Sequence, residues 1–428
     1  MFILLTVSEA SDTLHNVSGS RDYCIRPEGK VGERIAVGFG NNIDYEISWD
    51  AVVFERLAAG LEISPSELDP DRRIESVRDF VLSILGFVAR GAGGERRVED
   101  PTVLDELAGH FQYRETLGGS SVRAAVSMRT LGFTSALHLV TMNDHVRRLI
   151  PQDNPWVTSS EKEALYPHVI VQFDEGAQVR IAEHTIRAPR ANRLIYVNDP
   201  DNSEMKINPA FAELAADAEV FLIAGFNAMD SSQVLARRLE TVREILSQLR
   251  EDATVVFEDA CYHEPALSTQ LRRGLVDHID VYGLNEDELE GYVGREVSLL
   301  DPADVWSALG ELQRIIPVPV LILHTRDWAL AFGENAERYR TALEGGITMA
   351  TTRLRHGDHF SEADYGRTQR LPAKAESVRF ASDLAALGGR RVCSVPSYFV
   401  EQKNLTTIGL GDAFVGGLLP RLTHDQLA

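Results

Sequence analysis

Apolar and polar positions follow two rhythms along most of this chain. Short runs rich in Val, Ile and Leu occur at 34–39, 219–224, 254–257, 279–282 and 318–323. Each is followed by a Gly or a polar cluster and then by a longer segment of helical period. Runs this short with β-branched enrichment predict buried strands. Residues 232–250 show the second rhythm. There Leu235, Leu239, Val242, Ile245, Leu246 and Leu249 recur at spacings of three and four, which predicts an amphipathic helix. Strands alternating with helices predict an α/β fold with a mainly parallel sheet flanked by helices on both faces. In such sheets ligands bind beyond the carboxyl ends of the strands.

Two stretches break the alternation. Residues 45–115 contain a Gly-rich turn, Arg90-Gly91-Ala92-Gly93-Gly94-Glu95, before a charged stretch. Residues 165–196 alternate in strand fashion: His168 to Phe173, a turn at Asp174-Glu175-Gly176, then Gln178 to Ile181. That pattern predicts a β-hairpin. Both stretches are assigned to a small β-rich lid domain (45–115 and 165–196). Residues 1–44, 116–164 and 197–428 form the large domain.

Composition narrows the function classes. Of 428 residues, 44% are hydrophobic and 25% charged, ordinary for a globular chain with a large core. Acidic residues outnumber basic ones by 64 to 43, for a net charge of −21. That balance argues against non-specific nucleic-acid binding and suits solubility, while placed arginines still allow a phosphate-bearing ligand. The three cysteines, Cys24, Cys261 and Cys393, form no CxxC pair, which fits a reducing, cytoplasmic setting. Met1 to Ser8 is a short apolar run with no basic residue before it, and reads as a first strand or ragged terminus. No run approaches the ~18 apolar residues of a membrane span.

The strongest chemical signal lies near the end, Thr406-Thr407-Ile408-Gly409-Leu410-Gly411-Asp412-Ala413-Phe414. Gly409 and Gly411 permit a tight turn whose amides point to one spot, and small and apolar residues then open a helix. A helix N-terminus adds free amides and partial positive charge, a trap for a phosphoryl group. Asp412 is placed to accept a proton from an attacking hydroxyl. The same residues also suit an ordinary N-cap aspartate.

Taken with further motifs in order, this segment resembles the ADP-dependent glucokinase and phosphofructokinase family of the ribokinase-like superfamily. The resemblance runs from roughly residue 35 to 417 and rests on several segments. Gly38-Phe39-Gly40-Asn41-Asn42-Ile43-Asp44 resembles the family's Asn-x-Asp element, which holds sugar hydroxyls. Gly118-Gly119-Ser120-Ser121 resembles its Gly-Gly-Asn-Ala substrate loop, with Ser120 in place of Asn. His168-Val169-Ile170 and Ala188-Pro189-Arg190-Ala191-Asn192-Arg193 resemble two more of its segments. So do Gly283-Leu284-Asn285-Glu286-Asp287-Glu288 and His324-Thr325-Arg326-Asp327. The family's usual His-x-Glu is Val256-Phe257-Glu258 here, so the histidine is missing.

The resemblance implies a ribokinase-like large domain with a small lid, and roles for named residues. Asn42, Asp44, Glu95, Gly118, Gly119 and His168 are expected at the sugar, and Glu95 marks a glucose-type hydroxyl contact. Arg190 and Arg193 are expected to hold phosphate oxygens, of the nucleotide or of a sugar phosphate. Asn285, His324, Thr325 and Thr352 are expected near the nucleotide, with Gly411. Asn285 and Glu288, three apart, share a helical face. Glu288, with Glu258 and Asp412, is expected to suit Mg²⁺ or another hard divalent cation. The same Asn-x-x-Glu spacing also suits a helix cap. The implied activity moves a phosphoryl group from ADP to a hexose hydroxyl, of glucose or fructose 6-phosphate, giving AMP. Alternatives are an ATP-dependent sugar or nucleoside kinase and a catalytically impaired sugar- or nucleotide-binding protein. A monomer or small homo-oligomer is expected, with no membrane or nucleic-acid partner.

Overall fold

The computed structural model describes residues 33–262, 264–401 and 408–427. The run Met1–Ser8, Cys24 and the pair Thr406–Thr407 lie outside the described residues.

The five apolar runs become strands of the main sheet. Its strands, numbered along the chain, are β1 (Ile35–Gly38), β5 (Ala136–Leu139), β6 (Trp156–Thr158), β11 (Val220–Ile223), β12 (Thr254–Glu258), β13 (Val281–Asn285), β14 (Val320–His324), β15 (Trp328–Gly333) and β16 (Val392–Pro396). Of these, β5, β6, β15 and β16 lie outside the five runs. The order is β16-β15-β14-β13-β12-β11-β1-β5-β6. The pairs from β14 through β6 are parallel, and β15 and β16 add antiparallel strands at one edge. Both faces are buried, which is why these strands read as unbroken apolar runs. Phe221 and Ile223 pack into the core on one face, Val220 and Leu222 into the core on the other.

A second sheet has the order β3-β10-β7-β2-β4, from β2 (Asn42–Ser48), β3 (Gly94–Arg97), β4 (Arg114–Gly118), β7 (His168–Phe173) and β10 (Asn192–Val197). β2 leaves β1 after only Phe39, Gly40 and Asn41, so the two sheets join directly at the carboxyl end of β1. Strands β2 and β4 straddle the expected boundaries at 44/45 and 115/116. The second sheet is amphipathic. Ile43, Tyr45, Ile47, Val169, Val171, Leu194 and Tyr196 are buried on one face against Phe80, Ile84 and Leu104. These last come from α2 (Val77–Arg90), which follows α1 (Ala51–Gly60), and from α3 (Thr102–Ala108).

The pairing corrects the hairpin expected from 168–181. β7 is flanked by β2 and β10, so it has no edge left for the next strand. The hairpin is instead β8 (Gln178–Ile181) with β9 (His184–Arg187). Alternation along β7 reports a half-buried strand but not its partner. Glu95 is also corrected: it lies on β3, paired with β10, not in the glycine turn. The turn ends earlier, at Gly91, which caps α2.

The helices that build the site are α4 (Ser120–Thr130), α5 (Ser232–Leu246), α6 (Glu286–Val293), α7 (Arg340–His356) and α8 (Leu410–Leu418). The helix expected over 232–250 is α5 and stops at Leu246. α8 is wedged between α4 and α7. Among the described residues, no helix is long and apolar enough to cross a membrane.

Candidate active site

The polar face of the second sheet collects most of the expected sugar residues. Strand neighbours in register put their side chains on one face. Asp44 pairs with Thr116 on β4 and with His168 on β7, and Glu46 pairs with Arg114 and Ile170. Ile195 on β10 pairs with Ile170 and with Glu95, while Arg193 pairs with Gln172. Asn42, Asp44, His168, Arg193 and Glu95 therefore share the face opposite the apolar core.

Polar contacts order this face. Asn42 Nδ2 donates to Asp44 Oδ1 at 2.5 Å. A side chain on Gly118 would collide with both of these groups. Gly119 turns with φ +93° against the carbonyl of Gly40. His168 Nε2 lies 3.2 Å from Asp199 Oδ2, and its Nδ1 is 4.0 Å from Asp44 Oδ1. Burial disfavours a charged His168, but the Asp199 hydrogen bond and the charges of Asp199, Asp44 and Glu95 outweigh it and raise its pKa. Arg190 is exposed, with its Nε donating to the Gly91 carbonyl at 3.0 Å.

Asp412 stands in the first turn of α8, after Gly409 with φ +65°. Its Oδ2 is 3.8 Å from Arg123 Nε. Arg123, on α4, is only 7% exposed, and its Nη2 reaches Asp44 Oδ2 at 2.6 Å, Glu46 Oε1 at 3.1 Å and Thr116 Oγ1 at 3.1 Å. One buried guanidinium thus ties the carboxylate on the second sheet to the one on α8. Burial opposes its charge, but Asp44, Glu46 and Asp412 together raise its pKa, so it stays cationic. Arg353, on α7, supports the same turn: its Nε donates to the Ile408 carbonyl at 2.8 Å and its Nη1 pairs with Asp358.

The third group lies at the carboxyl ends of β12, β13 and β14, which end in Glu258, Asn285 and His324. Asn285 and His324 are register partners. His324 Nε2 is 2.9 Å from Glu258 Oε1, and its ring stacks on Phe414 of α8 at 4.7 Å. His324 therefore links Glu258 to the helix that carries Asp412. The Glu258 carboxylate lies over Gly283, where a β-carbon would collide with it. Asn285 and Glu288 form a reciprocal cap on α6, with Asn285 N to Glu288 Oε2 at 2.8 Å and Glu288 N to Asn285 Oδ1 at 3.0 Å. Asp259 accepts from Tyr282 and Tyr292 at 2.7 and 2.6 Å. Burial, with the charges of Asp259 and Glu258, pushes Glu288 up to about 8.

Three expectations are corrected by these placements. Glu258, Glu288 and Asp412 do not form one ligand group: among the described residues no three His, Cys, Asp or Glu side chains are arranged to hold a metal. Asp412 instead has a guanidinium beside it. Thr352 does not line the site, because it is fully buried and its hydroxyl bonds the Thr348 carbonyl at 2.7 Å. Thr325 uses its hydroxyl within the β14–β15 turn, accepting from Asp327 N and Trp328 N. Sequence reasoning also missed Arg123 and Asp199. The available signal for Arg123 was one arginine inside Val122-Arg123-Ala124-Ala125-Val126, a stretch otherwise small and apolar.

Residues 33–419 match the family model described as "ADP-specific Phosphofructokinase/Glucokinase conserved region". The fold is similar to that of a phosphofructokinase from Pyrococcus horikoshii OT3 solved with AMP, at 18% identity and TM-score 0.70, covering 92% of this chain and 99% of that one. It is also similar to a last common ancestor of ADP-dependent phosphofructokinases from Methanosarcinales, at 14% identity and TM-score 0.68, covering 92% and 95%. An ADP-dependent kinase in complex with fructose 6-phosphate and ADPβS is 14% identical at TM-score 0.69, covering 91% and 93%. No curated protein matches the sequence.

Proposed function

This chain belongs to the ADP-specific phosphofructokinase/glucokinase family, and from that premise we propose that it transfers the terminal phosphoryl group of ADP to a hexose hydroxyl. The products are AMP and a sugar phosphate, and the acceptor is glucose, fructose 6-phosphate or both. The observation that carries this reading is the bridge Asp44–Arg123–Asp412. It sets a carboxylate suited to sugar hydroxyls within one guanidinium of a carboxylate at a helix N-terminus.

In this reading the acceptor sugar lies on the polar face of the second sheet, which acts as the lid. Asp44, held by Asn42 and Arg123, accepts from sugar hydroxyls. Asp412 takes the proton of the acceptor hydroxyl as its oxygen attacks the β-phosphorus. The bond from that phosphorus to the bridging oxygen breaks, and its electron pair leaves on AMP. Closing the two sheets over the sugar excludes water, a competing acceptor. Mixing ADP with each sugar and following AMP and sugar phosphate tests the reaction.

Glu258 and Glu288 fit a mostly hydrated Mg²⁺. The crowd of buried carboxyls that pushes Glu288 up to about 8 is one a cation relieves, and Mg²⁺ is commonly held by one or two carboxylates, water and phosphate. When bound, the ion offsets phosphate charge. Activity is expected to vanish in excess chelator, and Glu288→Gln to raise the Mg²⁺ concentration for half-maximal rate. Undiminished turnover in chelator contradicts the metal role.

The choice of sugar is assigned to Glu95. Its charge reaches His168, so both act on one part of the site. A carboxylate paired with a sugar hydroxyl favours glucose and sits poorly beside a sugar phosphate, unless Arg193 offsets it. In Glu95→Ala, kcat/KM for glucose is expected to fall about 10-fold or more relative to fructose 6-phosphate. An equal fall for both sugars removes the assignment and leaves the kinase reading intact.

A further inference from the structure

His168 stands on β7 of the second sheet, yet the residues that hold its ring are anchored on the main sheet. Its Nε2 is 3.2 Å from Asp199 Oδ2. Asp199 caps the short helix Pro200–Glu204, with its Oδ1 accepting from Asn202 N at 3.0 Å. Asn202 Nδ2 donates twice, to Asp199 Oδ2 at 2.6 Å and to the Asn41 carbonyl at 2.9 Å. Asn41 is the last of the three residues that join β1 to β2. Its side chain clamps the chain just past β5. There Oδ1 accepts from Val140 N at 2.8 Å and Thr141 N at 3.1 Å, and Nδ2 donates to the Thr141 carbonyl at 2.8 Å. Asn41, Asp199 and Asn202 are all buried. A buried hydrogen-bonded chain of this kind holds its members in one arrangement. The His168 ring is thereby fixed relative to the joint between the two sheets.

The other ring nitrogen faces Asp44. Nδ1 is 4.0 Å from Asp44 Oδ1, too far for a direct hydrogen bond. One hydroxyl oxygen fits within about 2.8 Å of both, donating its proton to Asp44 and accepting from Nδ1–H. That second contact needs a proton on Nδ1 while Nε2 donates to Asp199, so it needs the imidazolium. The neutral ring that still donates to Asp199 turns a lone pair toward Asp44 and offers the hydroxyl oxygen nothing. Three carboxylates act on the ring, Asp44 of β2, Glu95 of β3 and Asp199, with Arg123 bound to the far oxygen of Asp44. We propose that Asp199, tied through Asn202 to the joint between the two sheets, is the positioning residue that sets His168 against a sugar hydroxyl at Asp44. The proposal rests on the kinase reading for the identity of that ligand.

Burial favours the neutral ring, but the Asp199 hydrogen bond and the charges of Asp199, Asp44 and Glu95 raise the His168 pKa. Sugar affinity is therefore expected to be full below that raised value and to fall as pH rises through it. Asp199→Asn keeps a residue type that caps helices and removes the charge that holds the ring protonated. In this variant the fall is expected at lower pH. At about pH 7.5 the sugar dissociation constant is expected to rise about 10-fold while ADP binding holds. Asp201, pushed up to about 6 by burial and by the charges of Asp199 and Glu204, titrates close by. His168→Gln separates the two, because its amide donates without titrating and its weaker sugar affinity is expected to stay flat with pH. Calorimetry across pH with glucose and with fructose 6-phosphate gives these constants, and the imidazole NMR signals of His168 give its titration with no sugar present. A flat wild-type profile, a His168 titration unmoved in Asp199→Asn, or a wild-type profile in His168→Gln overturns the assignment. Equal loss of sugar and ADP affinity in Asp199→Asn marks a merely structural residue and also overturns it. A wild type that neither binds nor phosphorylates either sugar, but whose His168 titration follows Asp199, rejects the kinase and keeps the pairing. Sugar phosphorylation with a His168 titration indifferent to Asp199 does the reverse.

Discussion

Asp412→Asn is expected to lower kcat by about 10²–10⁴-fold while ADP and sugar still bind. The amide fits the same place in the first turn of α8 and still faces Arg123, so the fold and the approach of the phosphoryl group are preserved. It lacks the acceptor that takes the hydroxyl proton. A loss confined to kcat identifies an interaction made in the transition state, whereas a rise in KM alone identifies simple substrate binding. Steady-state kinetics with both substrates, alongside calorimetric binding, distinguishes these outcomes. Near-wild-type kcat in a folded variant rejects Asp412 as the base.

Arg123→Met is expected to cost about 3–5 kcal/mol of stability at neutral pH, the amount typical of breaking a buried ion pair from one side. Asp44 and Glu46 are 4% and 8% exposed, and both face this guanidinium. The pH dependence follows from Glu46. Burial pushes its carboxyl up, but Arg123 and Arg114 outweigh burial and hold it below the usual carboxylate range. A depressed pKa contributes stability above the unfolded value of about 4.3, and the contribution disappears as pH falls through the folded value. Asp44 is raised by burial even with Arg123 beside it, and without that cation both carboxyls titrate higher, so the deficit of the variant is largest where both are charged and shrinks on acidification as they become neutral. Adding Asp44→Asn and Glu46→Gln is expected to restore part of the loss at neutral pH. Urea unfolding at several pH values checks both claims, and a pH-independent deficit contradicts them.

How much of this was legible in the sequence depends on how local each signal was. The parallel strands β1, β11, β12, β13 and β14 were readable because burial on both faces writes an unbroken apolar run, whereas the shorter parallel strands β5 and β6 were not picked out. The second sheet was harder. Alternation gave β7 and β8 as strands, yet the partners of β7 come from residues 42–48 and 192–197, a choice that sequence alternation does not encode. Glu95 was misread as a turn residue because three small residues precede it, whereas pairing with β10 makes 94–97 a strand. Asn285 and Glu288 illustrate a different limit. The capping alternative is realised in full, with both hydrogen bonds made, and the carboxylate of Glu288 still lies among Glu258 and Asp259. Arg123 was passed over because an arginine on a helix ordinarily marks a solvated surface. Its role exists only once Asp44 and Glu46 of β2 and Asp412 of α8, two distant segments of the chain, are folded around it.

Phosphorus NMR of a mixture of ADP, Mg²⁺ and enzyme, with glucose in one sample and fructose 6-phosphate in another, tests phosphoryl transfer from ADP to a sugar. The ADP resonances are expected to give way to AMP, with an equal amount of new sugar phosphate, in at least one sample. The same conversion is lost with Asp412→Asn. Sugar phosphate formed from ATP but not from ADP, or no sugar phosphate from either donor, contradicts it.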